Sequence, residues 1–598
     1  MRDKKFGQRK CHGNQHKNKK TNDKRNNNKC DNSRSVSVTE NECSQSNLEN
    51  FSTPSTSHKT SVSSSSKKLS SCRQLYSEIE CVEYVNSEND KPKNSTGFVF
   101  MDIELLSQAI KSFVQCKYCL SVNCISVFEN VKSRKALASK LSIICEKCEE
   151  QHSFYTSKQI DSGYEINTRF IYGMRCIGKG QAASKTLCAI LNTPSPPTTF
   201  NKTNKFLLGA IETVSQKCMR DAAAETIAGN AGSNEISVAI DGSWQKRGFS
   251  SLHGVVTAIS VHTGKVLDIE CLTKYCMTCK KSGDSKKHEN CDINYEGSSG
   301  GMESEGAVKI FQRSVSSRGV KYIEYLGDGD SKGYNRVVAA KPYGENIDIV
   351  KLECVGHVHK RMGSRLRRLV QEWKGRKLED GKGMSGSKRL TGTEIDKLQD
   401  YYGKAIRENT GNIDSMQRAV WATYFHKIST DKEPHHGLCP KDSWCKYNSK
   451  EKDNYKHHGL PEVIMDKIKP IYRDLAHKDL LKKCLHGCTQ NPNESFNNLI
   501  WTRIPKNVFV GLDILKLGAL EAVICFNMGN IGRVKVLQQL GIDPGINSIQ
   551  QFKAIDDLRL KDAERQADEM TKEARKKRRD DKRKREEQND PEYGAGMF

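Results

Sequence analysis

Glu235-Ile-Ser-Val-Ala-Ile-Asp-Gly-Ser-Trp-Gln-Lys-Arg-Gly248 is the stretch from which the fold can be read. Residues Ile236 to Ile240 are nearly all apolar and partly β-branched, which predicts a short buried strand. Asp241 follows directly, and Gly242 is expected to let the chain turn sharply. A carboxylate at the mouth of a buried strand is costly unless something uses it, and a metal ion is the usual user.

Two further stretches supply partners. Val320-Lys-Tyr-Ile-Glu-Tyr-Leu-Gly327 reads as a second strand and ends in Asp328-Gly329-Asp330. Thr489-Gln-Asn-Pro-Asn-Glu-Ser-Phe-Asn-Asn498 places Glu494 near the start of a helix, just past Pro492. Taken singly, Asp241 and Asp328 can be turn residues and Glu494 a solvated charge at a helix start. Taken together and in this order, two strand-end aspartates and a helical glutamate form the acidic set of ribonuclease-H-like nucleases and transposases. Two hard cations roughly 3.5–4 Å apart need such oxygen ligands, and they hold the attacking and leaving oxygens of a phosphodiester in line.

Composition narrows the setting. The chain has 598 residues and a formal net charge of +25, which favours a polyanionic partner, nucleic acid before an anionic membrane surface. No apolar run approaches the ~20 residues that span a bilayer. Met1-Arg-Asp-Lys-Lys-Phe has no apolar segment behind it and is not expected to act as a secretory signal. In such a chain the 23 cysteines point to reduced thiols and metal sites more than to disulfides.

Cysteine spacing is specific. Cys116-Lys-Tyr-Cys119 and Cys145-Glu-Lys-Cys148 are two knuckles of a closed, structural tetrahedral zinc site, as in a zinc ribbon, with Cys124 a buried spare. Cys276-Met-Thr-Cys279 and His288-Glu-Asn-Cys291 repeat the spacing and predict a second structural zinc; the alternative is a loop whose cysteines pack singly. A third set, His435-His-Gly-Leu-Cys439, Trp444-Cys445 and His457-His458, leaves its fourth ligand open.

The expected order along the chain starts with a disordered basic, Ser-rich tail (1–95) and a zinc-ribbon-like domain (97–160). A helical linker (161–230) follows; its Arg169, Arg175 and Lys179 read as an exposed face, with phosphate contacts as the alternative. The first part of an α/β core spans 231–375, with three antiparallel strands at its start and a hairpin at His262-Thr263-Gly264. An α-helical insertion (376–485) separates it from closing helices (486–545), because Glu494 has to return to the sheet. A charged tail (546–598) carries Lys576-Lys-Arg-Arg579 and Lys582-Arg-Lys-Arg585, which fit a nuclear signal. On spacing alone His357, ahead of the basic helix that begins at Lys360, reads as a hydrogen-bonded structural histidine, with a ligand or a phosphate contact as the alternatives.

Several longer motifs carry a resemblance. They are Val238-Ala-Ile-Asp-Gly-Ser-Trp-Gln-Lys-Arg-Gly248, Asn294-Tyr-Glu-Gly-Ser-Ser-Gly-Gly-Met-Glu303, Tyr325-Leu-Gly-Asp-Gly-Asp330, Glu353-Cys-Val-Gly-His357, Lys360-Arg-Met-Gly363 and Leu485-His-Gly-Cys-Thr-Gln-Asn-Pro-Asn-Glu-Ser-Phe-Asn497. From about residue 97 to about 545 the chain resembles the Mutator-like element transposases, and more narrowly their animal branch.

The resemblance implies a DDE transposase: a ribonuclease-H-like catalytic core interrupted by an α-helical insertion, acting on DNA with Mg²⁺ or Mn²⁺. It implies Asp241, Asp328 and Glu494 as catalytic and metal-binding acids, with Asp330 the alternative second acid. Cys354 and His357 match the Cys-x-x-His that the superfamily shows after the second acid. The knuckle at 276–291 departs from plant relatives. The implied chemistry is hydrolysis at an element end, then transfer of the freed 3′-hydroxyl to target DNA, in an oligomer, in the nucleus and away from membranes. Lys360, Arg361, Arg365, Arg367 and Arg368 would position DNA through its phosphates. The rival is a domesticated zinc-containing DNA-binding or chromatin protein with an inert core; a weaker third reading is a nuclease acting on RNA.

Overall fold

The computed structural model describes residues 97–567 apart from 246–249, 283–287, 290, 330, 441–443 and 449–454. The basic tail, Asp330 and the two terminal basic clusters therefore lie outside the described residues.

The chain begins with α1 (Ile103–Phe113), capped by Asp102, whose carboxylate accepts from the Glu104 and Leu105 amides. Strands β1 (Ile125–Glu129), β2 (Lys140–Cys145) and β3 (Gln151–Tyr155) form an antiparallel sheet that carries the first cysteine set. The two knuckles are the same turn twice. Leu120 N–H bonds Cys116 O and Glu149 N–H bonds Cys145 O, both at 2.9 Å. Leu120 and Glu149 both take left-handed φ near +60°, a cost of roughly 1–2 kcal/mol each that a ligand-fixed turn can sustain.

A two-stranded ribbon, β4 (Gln159–Ile160) and β5 (Gly163–Tyr164), leads into α2 (Glu165–Cys176), α3 (Gln181–Ile190) and α4 (Phe200–Gly229). Here one expectation is corrected. Arg169 and Arg175 do not form an exposed face: Arg169 pairs with Glu165 and donates to the Asp543 and Pro544 carbonyls, while Arg175 donates to Asn204 Oδ1 at 3.0 Å. Lys179 alone of the three is exposed.

The central sheet contains β6 (Glu235–Trp244), β7 (His253–Ser260), β8 (Val266–Thr273), β9 (Lys321–Gly327) and β10 (Val350–Glu353) in the order β10-β9-β6-β7-β8. Strands β6, β7 and β8 are antiparallel neighbours, whereas β9 and β10 run parallel to β6. A second expectation fails at Gly242. The strand does not stop at Ile240, and Asp241 and Gly242 pair in register with Thr257 and Val256. Gly242 makes room instead of making a turn, since an added Cβ would lie 2.9 Å from Glu303 Cγ and Oε2.

Between β8 and β9 come α5 (Met277–Ser282), inside the second knuckle, and α6 (Gly301–Arg318); α7 (Lys332–Ala339) precedes β10. Helix α6 lies against one sheet face, where Ala307, Ile310 and Phe311 meet Val256, Ala258 and Leu267. Helices α4 and α14 (Leu512–Met528) cover the other, where Ile211 and Val523 join Val255, Ile259 and Ile269. With helices on both sides, every residue of β7 is buried, and the strand loses the apolar–polar alternation of a half-solvated one.

After β10 the chain enters a helical block: α8 (Val355–Glu372), α9 (Gly392–Arg407), α10 (Ile413–Ile428), α11 (Glu462–Leu475) and α12 (Lys478–Lys482). It has a core of its own around Met362, Leu398, Tyr402, Ile468 and Tyr472. Helices α11 and α12 are separated where His477 caps α12. The chain returns to the sheet with α13 (Asn491–Arg503), followed by α14, α15 (Gly532–Gln539) and α16 (Ile546–Ala567).

Candidate active site and metal centres

Register brings the two aspartates together. Ala239 pairs with Leu326 across parallel β6 and β9, so Asp241 and Asp328 each lie two residues further along, at the same end of the sheet. β10 pairs Glu353 with Gly327, which places Cys354 at that end as well.

Helix α13 delivers the glutamate through a polar stripe at helical spacing. Gln490 Nε2 donates to Ile240 O at 2.8 Å, and Asn493 Nδ2 donates to Ala239 O at 3.1 Å. Asn497 Nδ2 donates to Asp241 Oδ2 at 2.6 Å, and Trp501 Nε1 donates to Ser243 Oγ at 2.7 Å. Residues 490, 493, 497 and 501 thus follow β6 from Ala239 to Ser243. Phe496 and Ile500, on another face of α13, are fully buried in the core that α14 completes, each contributing roughly 1.5–3 kcal/mol. Glu494, at the first turn, is left with its side chain 61% exposed.

His357 joins the remaining acids. Its Nδ1 lies 3.4 Å from Asp328 Oδ1 and its Nε2 lies 3.9 Å from Glu494 Oε1, so the two carboxylates flank one imidazole. His357 thus keeps the hydrogen-bonded setting expected of it, through Cys354, while facing two of the candidate acids. Its position is fixed by Cys354, the N-cap of α8, whose Sγ accepts from the Gln490 amide at 3.3 Å. Val355 N–H also donates to Cys488 O at 3.1 Å. The Cys-x-x-His pair is thus a clasp between the start of α8 and the loop that launches α13.

The electrostatics follow from this arrangement. Burial pushes the Asp241 carboxyl up to about 6, with nearby Glu494 adding to the rise and the Gly242 amide and Asn497 opposing it. Hydrogen bonding to Cys354, with the Asp328 charge, holds His357 above its ordinary value despite burial. Burial works against the Cys354 thiolate, but His357 and the Gln490 amide outweigh it and lower the thiol's pKa. Carboxylate oxygens of Asp241, Asp328 and Glu494 are hard donors suited to Mg²⁺ or Mn²⁺. The buried amide oxygen of Asn497, beside Asp241, has no hydrogen-bond donor and fits the same need.

The basic helix divides. Arg361 pairs with Glu353 at 2.5 Å, Arg365 with Asp474 at 3.2 Å and Arg367 with Asp396 at 2.5 Å. Lys360 is exposed, and Arg368 keeps 82% of its side chain exposed while pairing with Glu372 one turn on.

Three Cys/His groups among the described residues gather ligand atoms within 4.8 Å of one another and are compatible with structural zinc. The first is Cys116, Cys119, Cys145 and Cys148; Cys116 and Cys148 sulfurs lie 3.6 Å apart, as do those of Cys119 and Cys145. Backbone N–H groups of Cys148 and Lys147 bring the Cys145 thiol down to about 6, which favours a ligating thiolate. Cys124 is buried against Cys145, 3.5 Å away. The second is Cys276, Cys279, His288 and Cys291, with His288 Nε2 3.3 Å from Cys276 Sγ. The third is His426, His436, Cys439 and Cys445. Spacing could not identify His426, because it comes from the body of α10.

Sequence reading also missed Asn497, although its place three residues after Glu494 puts it on the same helical face. The family model described as "Mutator: Mutator-like transposase" matches residues 97–445. No curated protein matches the chain.

Proposed function

The chain belongs to the Mutator-like transposase family, and on that premise we propose that it is a DDE-type DNA transposase of the animal branch, with Asp241, Asp328 and Glu494 as its catalytic acids. The observation that carries this reading is the convergence of those acids: His357 touches two of them, and Asn497, one turn beyond Glu494, holds the third. A ribonuclease-H-like core is supported by the strand order, three antiparallel strands extended by two parallel ones on the side of the first.

Each residue has a distinct task. Asp241, Asp328 and Glu494 would hold Mg²⁺ or Mn²⁺, which when bound supplies nucleophile activation and charge neutralisation for in-line attack on a phosphodiester. Asn497 orients Asp241. The Cys354 clasp sets His357 and the start of α13, and thereby the placement of Glu494. Asp328 and Glu494 are more than half exposed, so the site is open to a polymer backbone. Lys360 and Arg368 are the best placed of the five basic residues to meet phosphates, because Arg368, although paired with Glu372, keeps 82% of its side chain exposed, whereas Arg361, Arg365 and Arg367 are at least half covered in their pairs with carboxylates. The first two Cys/His groups hold structural zinc. No helix among the described residues is long and apolar enough to cross a membrane, and a DNA substrate fits a nuclear site of action.

The test is cleavage of element-end DNA by purified protein with Mg²⁺ or Mn²⁺. Glu494→Gln should lose at least about 100-fold in cleavage rate while keeping DNA binding, because the lost carboxylate acts on the reacting phosphate and not on affinity. Equal cleavage by the variant removes Glu494 from the site. Tight binding of element ends with no cleavage by the wild-type chain selects the inert, domesticated alternative.

A further inference from the structure

We propose that the helical block carries a third zinc centre, a tetrahedral Cys₂His₂ site made by His426, His436, Cys439 and Cys445, with His436 oriented through His457 by Asp431. This rests on ligand geometry alone and stands apart from the catalytic reading.

His436, Cys439 and Cys445 are buried and His426 is half-buried. The two imidazoles face each other through Nδ1 atoms 3.2 Å apart. His426 Nδ1 lies 3.8 Å from Cys439 Sγ and 3.7 Å from Cys445 Sγ; for His436 Nδ1 the same distances are 3.6 and 3.4 Å. With Zn–N about 2.0–2.1 Å and Zn–S about 2.3 Å, a tetrahedron has N–N edges of roughly 3.3 Å and N–S edges of roughly 3.5 Å. The five separations match. Mixed sulfur and nitrogen donors in that geometry select zinc over harder ions.

The surroundings also suit a metal ligand. With its Nδ1 on a metal, His436 must carry its proton on Nε2, and that atom lies 2.9 Å from His457 Nε2. His457 then carries its own proton on Nδ1, which lies 2.7 Å from Asp431 Oδ1. Proton donors and acceptors therefore alternate without conflict from the carboxylate to the metal, the arrangement that fixes a ligating imidazole's tautomer. The side chain of His457 is only 6% exposed. Asn448 Nδ2 donates to the His436 and Cys439 carbonyls at 3.2 and 3.1 Å and fixes the ligand loop itself. The neighbouring His435 does not belong to the ligand set, and His457 serves it from outside.

Full-length protein purified with zinc and then dialysed against metal-free buffer is assayed for bound zinc by mass spectrometry. Wild type should hold one equivalent per chain more than Cys445→Ser or His426→Asn. Equal zinc in wild type and both variants overturns the proposal, as does a Cys439–Cys445 disulfide in the native protein. Asp431→Asn provides a measure that does not depend on a ligand variant folding, since Asp431 is 70% exposed and outside the ligand set. It should keep the wild-type zinc content yet lose one equivalent to a chelator on the order of 10-fold faster. An unchanged rate overturns the role given to Asp431.

Discussion

Asp241 is an acid held near neutrality by burial, and this has a measurable consequence. Its carboxyl titrates at about 6 in the folded chain against an ordinary value of 3.8. Between those values the folded state binds the extra proton, so metal-free protein loses stability as pH rises from about 4 to about 6 and is level above. Asp241→Asn lacks this penalty. In a chelator, its stability relative to wild type should grow across that window by about 1–3 kcal/mol, read by denaturant melts at pH 4.5 and 7.5. Added Mg²⁺ should restore the wild type selectively. A difference that does not change with pH, or that grows toward acid, removes Asp241 as a strained ligand. The His357 pKa is raised as well, but for a base that favours the charged form, because hydrogen bonding to Cys354 and the charge of Asp328 stabilise imidazolium.

Buried ions join elements around Asp268 and Glu521, among other places. Asp268 on β8 receives Arg313 and Arg318 from α6. Glu521 on α14 receives Arg503 from the end of α13 and Arg533 from α15, the latter at 2.8 Å. Burial alone would raise the Glu521 carboxyl, but the two guanidinium groups bring it down to about 2. Because Arg503 terminates the helix that carries Glu494 in its first turn, this triad fixes the far end of that helix. Glu521→Gln leaves two buried cations without their counter-ion and should cost about 3–5 kcal/mol in urea unfolding. A loss below about 1 kcal/mol would show that solvent already reaches the triad. Close packing matters as well: an added Cβ at Gly306 on α6 would lie 2.5 Å from Val256 Cγ2 on β7. Gly306→Ala should therefore destabilise by about 1–3 kcal/mol despite alanine's better helix propensity.

Across the whole molecule, a surplus of 25 positive charges is combined with the proposed acidic site, which on the reading above would accept a polyanion. Basic side chains half-buried in ion pairs contribute less to counterion release than exposed ones. Lys360→Ala and Arg368→Ala, the latter 82% exposed although paired with Glu372, should each reduce the slope of log affinity against log salt for duplex DNA by about 1, measured by fluorescence anisotropy. Arg367→Ala, whose side chain is paired with Asp396, should change that slope much less. Equal effects from all three would mean that DNA opens the Arg367–Asp396 pair.

The sequence by itself determined the residue types and their order: two strand-end acids, a helix-start glutamate, and Cys-x-x-Cys knuckles. These are legible because strand periodicity, helix starts and metal-ligand spacing are local properties. It did not determine that β6 runs on through Asp241, since Gly242 looks like a turn until Val256 is opposite it and Glu303 fills its missing Cβ. Nor did it select His426 as the fourth ligand of the third cluster, or show that His357 touches both Asp328 and Glu494. The His357 contacts depend on parallel register and on a helix that returns to the sheet from more than a hundred residues away, and the choice of His426 depends on how the ligand loop folds back on α10; no local pattern encodes a contact made only when separate segments pack.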